Sequence, residues 1–135
     1  MRASGTFTVT DFTPAPVPSP AIETALPTGV ATMKKEYDGR VAGRSVTLFT
    51  AAFEQSTGTG TYIAMESFAG ALNGQTGAFN FAHSATTLGG GRECEFFVIV
   101  PASGTGALAG VTGTDGVAVD AEGTHRIWPD YELGQ

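Results

Sequence analysis

Cysteine is almost missing from this chain: Cys94 stands alone, so no disulfide can form within it. Lysine is nearly as scarce, with Lys34 and Lys35 the only two. Charged residues make up 15% of the 135 residues, where about 25% is usual. With so little Lys, and leucine sparse as well, the long amphipathic faces of a helical bundle are excluded. The formal net charge is −6, and the only basic pair is Lys34-Lys35, read as part of a solvated strand. Nucleic acid and anionic membrane surfaces are therefore not expected as partners, because both are held by clustered Lys and Arg. No apolar run approaches the ~18 residues of a membrane span. No charged start followed by an apolar stretch marks a secretory signal, and with the lone cysteine a cytoplasmic location is expected. Two histidines, one cysteine and scattered carboxylates make no metal-ligand cluster, so no metal or other cofactor is expected. The G-x-S-x-G elbow of a hydrolase is missing too.

What is plentiful is Gly, Ala and Thr, with 19 of each. Thr favours strands, and Gly marks turns, bulges and close backbone approach. Short runs of period-two alternation, broken by Gly, recur along the chain. They predict strands over 3–12, 29–38, 40–53, 61–72, 75–85, 92–100, 114–121 and 124–133. Thr13 to Pro27 carries five prolines and reads as a long extended loop, of the kind that often covers a site. Asp38-Gly39 and Asn73-Gly74 are hairpin turn signals. Only about one helical turn is expected, near Gly106 to Ala109. About eight antiparallel strands at hairpin spacing predict an all-β, closed barrel of lipocalin-like shape, with residues 1–135 as a single domain.

A two-residue turn at Asn73-Gly74 fixes the register of the central hairpin. Leu72 then opposes Gln75, Phe68 opposes Phe79, and Glu66 opposes Phe81. Tyr62, Glu66, Phe68, Phe79, Phe81 and His83 share the face expected inside the barrel. Glu66 and His83 are diagonal neighbours there, within reach of an ion pair or hydrogen bond. In the sixth strand Glu93 and Glu95 prefer water, which predicts Cys94, Phe96, Val98 and Val100 inward. Phe97 and Ile99 would then join Ile63 and Met65 in an exposed apolar patch, best explained by a homodimer. The last strand is open between two registers. A two-residue Glu122-Gly123 turn places Arg126 and Trp128 inside with Val117 and Val119; a one-residue slip puts His125, Ile127 and Tyr131 there instead. The first is preferred, because Val117 and Val119 are the apolar members of their strand.

Gly104-Thr-Gly106-Ala-Leu-Ala109 matches a dinucleotide-binding pattern, but Gly110 and Gly113 stop the helix that such a site needs. It reads as a tight turn capping the barrel. The stretch Tyr62-Ile-Ala-Met-Glu66-Ser-Phe68-Ala-Gly70-Ala-Leu72-Asn-Gly74-Gln-Thr-Gly77-Ala-Phe79, with His83-Ser84 after it, resembles a bacterial family known only as domain of unknown function 3224. Ser103 to Gly110, the closing Asp130-Tyr-Glu-Leu133 and the opening Gly5-Thr-Phe7 resemble it as well. The chain departs from that family after Val9, where Phe12 and the proline-rich loop stand. The resemblance implies a barrel similar to allene oxide cyclase, a group whose barrel cyclases enclose one hydrophobic molecule and steer its ring closure.

The residues and the resemblance together suggest a cofactor-free cyclase or isomerase acting on a small hydrophobic, polyketide-like molecule. Tyr62, Glu66 and His83 are the candidate catalytic residues. Phe68, Phe79, Phe81, Arg126 and Trp128 are the candidate substrate walls. The alternative is a barrel that binds such a molecule without changing it.

Overall fold

The computed structural model describes residues 1–15 and 22–134. It is an antiparallel barrel of eight strands: β1 (Gly5–Ala15), β2 (Thr28–Gly39), β3 (Val41–Glu54), β4 (Thr59–Leu72), β5 (Gln75–Leu88), β6 (Arg92–Ile99), β7 (Thr112–Val119) and β8 (His125–Glu132). Among the described residues one 3-10 turn spans Gly106–Leu108. The strands lie in the order β6-β5-β4-β3-β2-β1-β8-β7. β1 pairs with both β2 and β8, which rolls the sheet nearly shut. Among the described residues no ladder joins β6 to β7, so one seam of the barrel lacks backbone pairing. No described helix is long and apolar enough to cross a membrane.

The central hairpin has the predicted register. Asn73 and Gly74 both hold positive φ, as a two-residue hairpin turn requires. The ladder then runs without interruption from Leu72↔Gln75 through Glu66↔Phe81 to Thr59↔Leu88. Alternation on β4 and β5 places Phe68, Phe79 and Phe81 inside, with Tyr37 of β2 and Ile127 of β8 in the same core. Each such buried side chain contributes about 1.5–3 kcal/mol of transfer free energy.

One end of the barrel is sealed. The segment after β6 turns under the sheet, and Leu108 and Val111 are completely buried there. Thr105 N donates to Ala78 O, and Ser103 Oγ accepts from Asn80 N. A Cβ on Gly77 would meet Thr105 O at 2.1 Å, so only glycine lets the plug lie this close to β5. The Gly104–Ala109 stretch is thus the capping turn expected from its sequence.

Four local expectations are corrected. In β6, Phe97 and Ile99 face inward, opposite His83 and Phe81, while Cys94 and Phe96 are exposed. The cause is a bulge: Cys94 and Glu95 together oppose Ala85, Cys94 takes φ 53°, and the inside–outside parity reverses along the strand. At the β7–β8 turn, Val119 pairs with His125 and Val117 with Ile127. The loop is Ala121-Glu122-Gly123, with Gly123 at φ 83° and the Asp120 carboxylate accepting from Glu122 N and Thr124 N. This is a three-residue hairpin loop rather than a two-residue one, and the extra residue swaps the faces of β8. Arg126 and Trp128 therefore point outward. After Gly39, at φ 110°, the chain kinks at Arg40 before β3, and Tyr37 pairs with Gly43, which is wider than a two-residue turn allows. Finally, Thr13, Pro14 and Ala15 extend β1 instead of opening the proline-rich loop, and residues 16–21 of that loop lie outside the described residues.

Candidate functional site

A cavity of about 210 Å³ opens at the end of the barrel opposite the plug. Its walls are mostly apolar, from Phe7, Met33, Phe49 and Phe81, and its polar groups include Lys35, Tyr62, Glu66, His83 and Arg92, with His125 of β8. Four of the candidate residues belong to it: Tyr62, Glu66, Phe81 and His83. Phe68 and Phe79 face inward but lie a layer deeper, where Phe68 packs against Tyr37 and Phe79 with centroids 5.4 and 5.2 Å apart. They form the floor beneath the cavity rather than its wall. Arg126 and Trp128 are not part of it. Exposed Arg126 donates to Asp120 at 2.8 Å, and Trp128 lies over Gly116, where a Cβ would come within 2.1 Å of the indole.

Glu66 is the centre of a polar cluster and is completely buried. Its Oε1 accepts from Lys35 Nζ at 2.8 Å and from His83 Nε2 at 3.1 Å. Its Oε2 accepts from Tyr37 and from Ser45. Burial alone would raise its pKa. The His83 bond, the Lys35 charge and the Lys35 and Ser45 bonds outweigh burial and hold it at about 2. Tyr37 is pushed well above 10, by burial first and then by the charge and hydrogen bond of Glu66. Glu66 is thus a fixed carboxylate with four donors. It does not exchange protons near neutral pH.

That fixed charge sets the histidine. A carboxylate only accepts, so His83 Nε2 must carry its hydrogen. Nδ1 of the neutral ring is then an acceptor, 3.0 Å from the Tyr62 hydroxyl. Tyr62 O in turn accepts from Arg92 at 2.9 Å, while Arg92 Nε donates to Glu95 at 2.7 Å. The result is a directed chain from Arg92 through Tyr62 and His83 to Glu66. Aromatic packing fixes its members: Tyr62 stacks on Phe49 at 5.2 Å, and His83 packs against the stacked pair Phe81 and Phe97 at 5.7 and 5.9 Å.

Sequence reasoning did not include Arg92, Tyr37 or Ser45, and its reading of Lys35 as part of a solvated strand is corrected: Lys35 is buried, with its Nζ 2.8 Å from Glu66. Arg92 lies on the face that the alternation of β6 already turns inward at Cys94; what that alternation does not announce is the bulge, beyond which Phe97 and Ile99 face in instead. Lys35 was readable. On β2 the even positions Thr32, Lys34, Glu36 and Asp38 are all polar, so the odd positions Ala31, Met33, Lys35 and Tyr37 must be the inner face.

Comparison with known proteins agrees with this architecture. The family model described as "Protein of unknown function (DUF3224)" matches residues 3–131. This chain is a member of the DUF3224 family. A solved protein of the same family from Shewanella oneidensis MR-1, itself described as of unknown function, is 24% identical. The match covers 100% of this chain and 98% of that one, with a TM-score of 0.85, so the two share the fold. No curated protein matches the chain.

Proposed function

We propose that the barrel is a cofactor-free cyclase or isomerase for a small, largely apolar, oxygen-bearing molecule. The observation that carries this reading is the Arg92–Tyr62–His83–Glu66 chain, which sets the Tyr62 phenol at the wall of an apolar cavity. Tyr62 is the residue that touches substrate. A proton leaving the substrate carbon moves to the Tyr62 oxygen as the phenol proton moves to His83 Nδ1. Glu66 stabilises the imidazolium so formed, and Arg92 stabilises charge on the phenol oxygen. Return of the proton to a different carbon completes an isomerisation with no redox change. The same oxygen, donating to a carbonyl, favours ring closure of a conformer folded against Phe49 and Phe81. At about 210 Å³ the cavity suits a compact substrate, smaller than the ~300–1,000 Å³ class of drug-sized ligands.

The second reading, a barrel that only binds, is favoured by the completeness of the Glu66 cluster. Both carboxylate oxygens are satisfied within the protein, as in a purely structural network. Acetophenone in D₂O separates the two. Exchange of its methyl protons, followed by NMR and lost in Tyr62→Phe, is the expected result. Saturable binding with no exchange above buffer leaves the binding barrel, and no binding at all removes both readings.

A homodimer and a cytoplasmic location belong to the same proposal. On the outer face Leu48, Met65, Ala82 and Val98 lie in register across four strands, with Ile63 and Phe96 in the next row. Leu48, Ile63, Met65 and Phe96 are all exposed, and the six carry no charge, which suits a second copy of a chain with net charge −6. Sedimentation at micromolar concentration tests it, with a monomer as the adverse outcome. Exposed, unpaired Cys94 is at home in a reducing compartment.

A further inference from the structure

A second hollow, of about 180 Å³, lies on the flank of the barrel where β6 and β7 face each other without a ladder. His83, Arg92 and Val117 line both this hollow and the main cavity, so the two adjoin at the polar end of the hydrogen-bonded chain. The far wall of the side hollow holds Asp115. Its Oδ1 accepts from Trp128 N at 3.0 Å. Its Oδ2 is buried and has no partner among the described residues. A buried polar atom without a partner is rare and costs about 1–3 kcal/mol, so this one calls for an explanation.

We infer that the β6–β7 seam is a second subsite, in which Asp115 donates a hydrogen bond to a neutral oxygen of a ligand already seated against Tyr62. The inference rests on the reading of the main cavity as a ligand site, and it narrows the ligand to a compound with two oxygen functions. With Oδ1 held as an acceptor, the acid proton belongs on Oδ2, the atom that lacks a partner. Burial keeps the carboxyl neutral, raising its pKa to about 8 against the opposing pull of the Trp128 and Gly116 N–H groups and with help from the Glu66 charge. The other titratable groups facing it are Tyr37 on β2, His83 on β5, and Arg92 and Glu95 on β6. Ile127 and Pro129 of β8 close that side without charge. A neutral acid selects ketone or hydroxyl oxygen and discriminates against carboxylate, which would need a cation that Glu95 and Glu66 already occupy.

The test compares acetophenone, with one carbonyl, against 1,3-diacetylbenzene, with two. Wild type at pH 6 should bind the diketone about five- to tenfold more tightly, the worth of one hydrogen bond. That advantage should vanish above pH 9 and in Asp115→Leu, and persist at both pH values in Asp115→Asn, whose amide still donates. Infrared difference spectra give a second readout. The C=O stretch of a protonated carboxyl, missing in Asp115→Asn, should shift to lower frequency with the diketone and not with acetophenone. Absence of that band from wild type at pH 6 overturns the inference by itself, whatever binds. Equal affinity for the two ketones with an unmoved band overturns it while leaving the main cavity as a ligand site. Failure of wild type to bind either ketone overturns both readings.

Discussion

The β4 wall and the β6–β7 seam each hold a buried carboxyl, and the two are in opposite protonation states. Glu66 is the more deeply buried, yet it stays ionised. Asp115 is less buried and stays protonated near neutral pH. Depth does not decide the matter; donors do. Glu66 gathers one cation, an imidazole and two hydroxyls from three other strands, because a continuous ladder sets β2, β3 and β5 around it in fixed register. Asp115 stands at the unpaired edge, where the nearest opposing strand supplies no hydrogen bond, and it receives only backbone N–H groups. A complete ladder makes a charge tolerable; an incomplete one leaves a neutral acid.

The strongest way to break this contrast is to remove the charge that the ladder was built around. Glu66→Ala leaves Lys35 buried without its carboxylate, and urea melts should show a loss of about 3–5 kcal/mol. A loss below 1 kcal/mol would mean that the cluster is not a compensated charge site.

Next in size is Tyr62→Phe. It removes the one oxygen that links Arg92 to His83 and should cut ketone proton exchange by about 10²-fold or more with the melting curve little changed. Unaltered exchange would take proton transfer away from this site.

The pH dependence of stability sharpens the comparison, because the two carboxyls have opposite signs. The Glu66 folded pKa of about 2 lies below its ordinary 4.5, so its contribution is present above 4.5 and is lost as pH falls toward 2. The Asp115 folded pKa of about 8 lies above its ordinary 3.8, so the folded state holds the extra proton, and stability declines as pH rises from 3.8 to 8. That slope is at most about 1.4 kcal/mol per pH unit. Asp115→Asn should flatten it, and a slope that survives the substitution would assign it to another group.

The smallest effect belongs to the outside. Arg126→Ala removes an exposed pair with Asp120 and should cost well under ~1 kcal/mol and leave exchange untouched. A large loss of exchange would return Arg126 to the interior.

How far the sequence could be read follows the same division. The Asn73-Gly74 turn has only one common geometry, so Tyr62, Glu66, Phe81 and His83 were placed on one face by counting along β4 and β5. The Phe68–Phe79 pair was placed inward as well, although counting could not say that it lies in the floor. Around the seam, counting failed twice for one reason. Each of Cys94 in β6 and Gly123 before β8 takes positive φ and adds a residue out of phase, and a single residue exchanges inside for outside. Thr10 also adds an unpaired residue in β1, without positive φ, and this turns Phe12 toward the mouth opposite Met33. Such a slip misplaces Arg126 and Trp128, and another misplaces Phe97 and Ile99.

The plug between β6 and β7 has a mechanical consequence. Covalent chain joins these strands at the sealed end, through Thr105 against β5 and Gly110 against Gly134. Among the described residues nothing comparable ties Arg92 to Val119 at the other end. The seam is therefore a wedge with its pivot at Leu108, and any parting of its lips is greatest beside the mouth. Amide exchange should quicken along β6 from Ile99 toward Arg92, and along β7 from Thr112 toward Val119. A barrel hinged in this way can admit a rigid guest without surrendering a single ladder hydrogen bond.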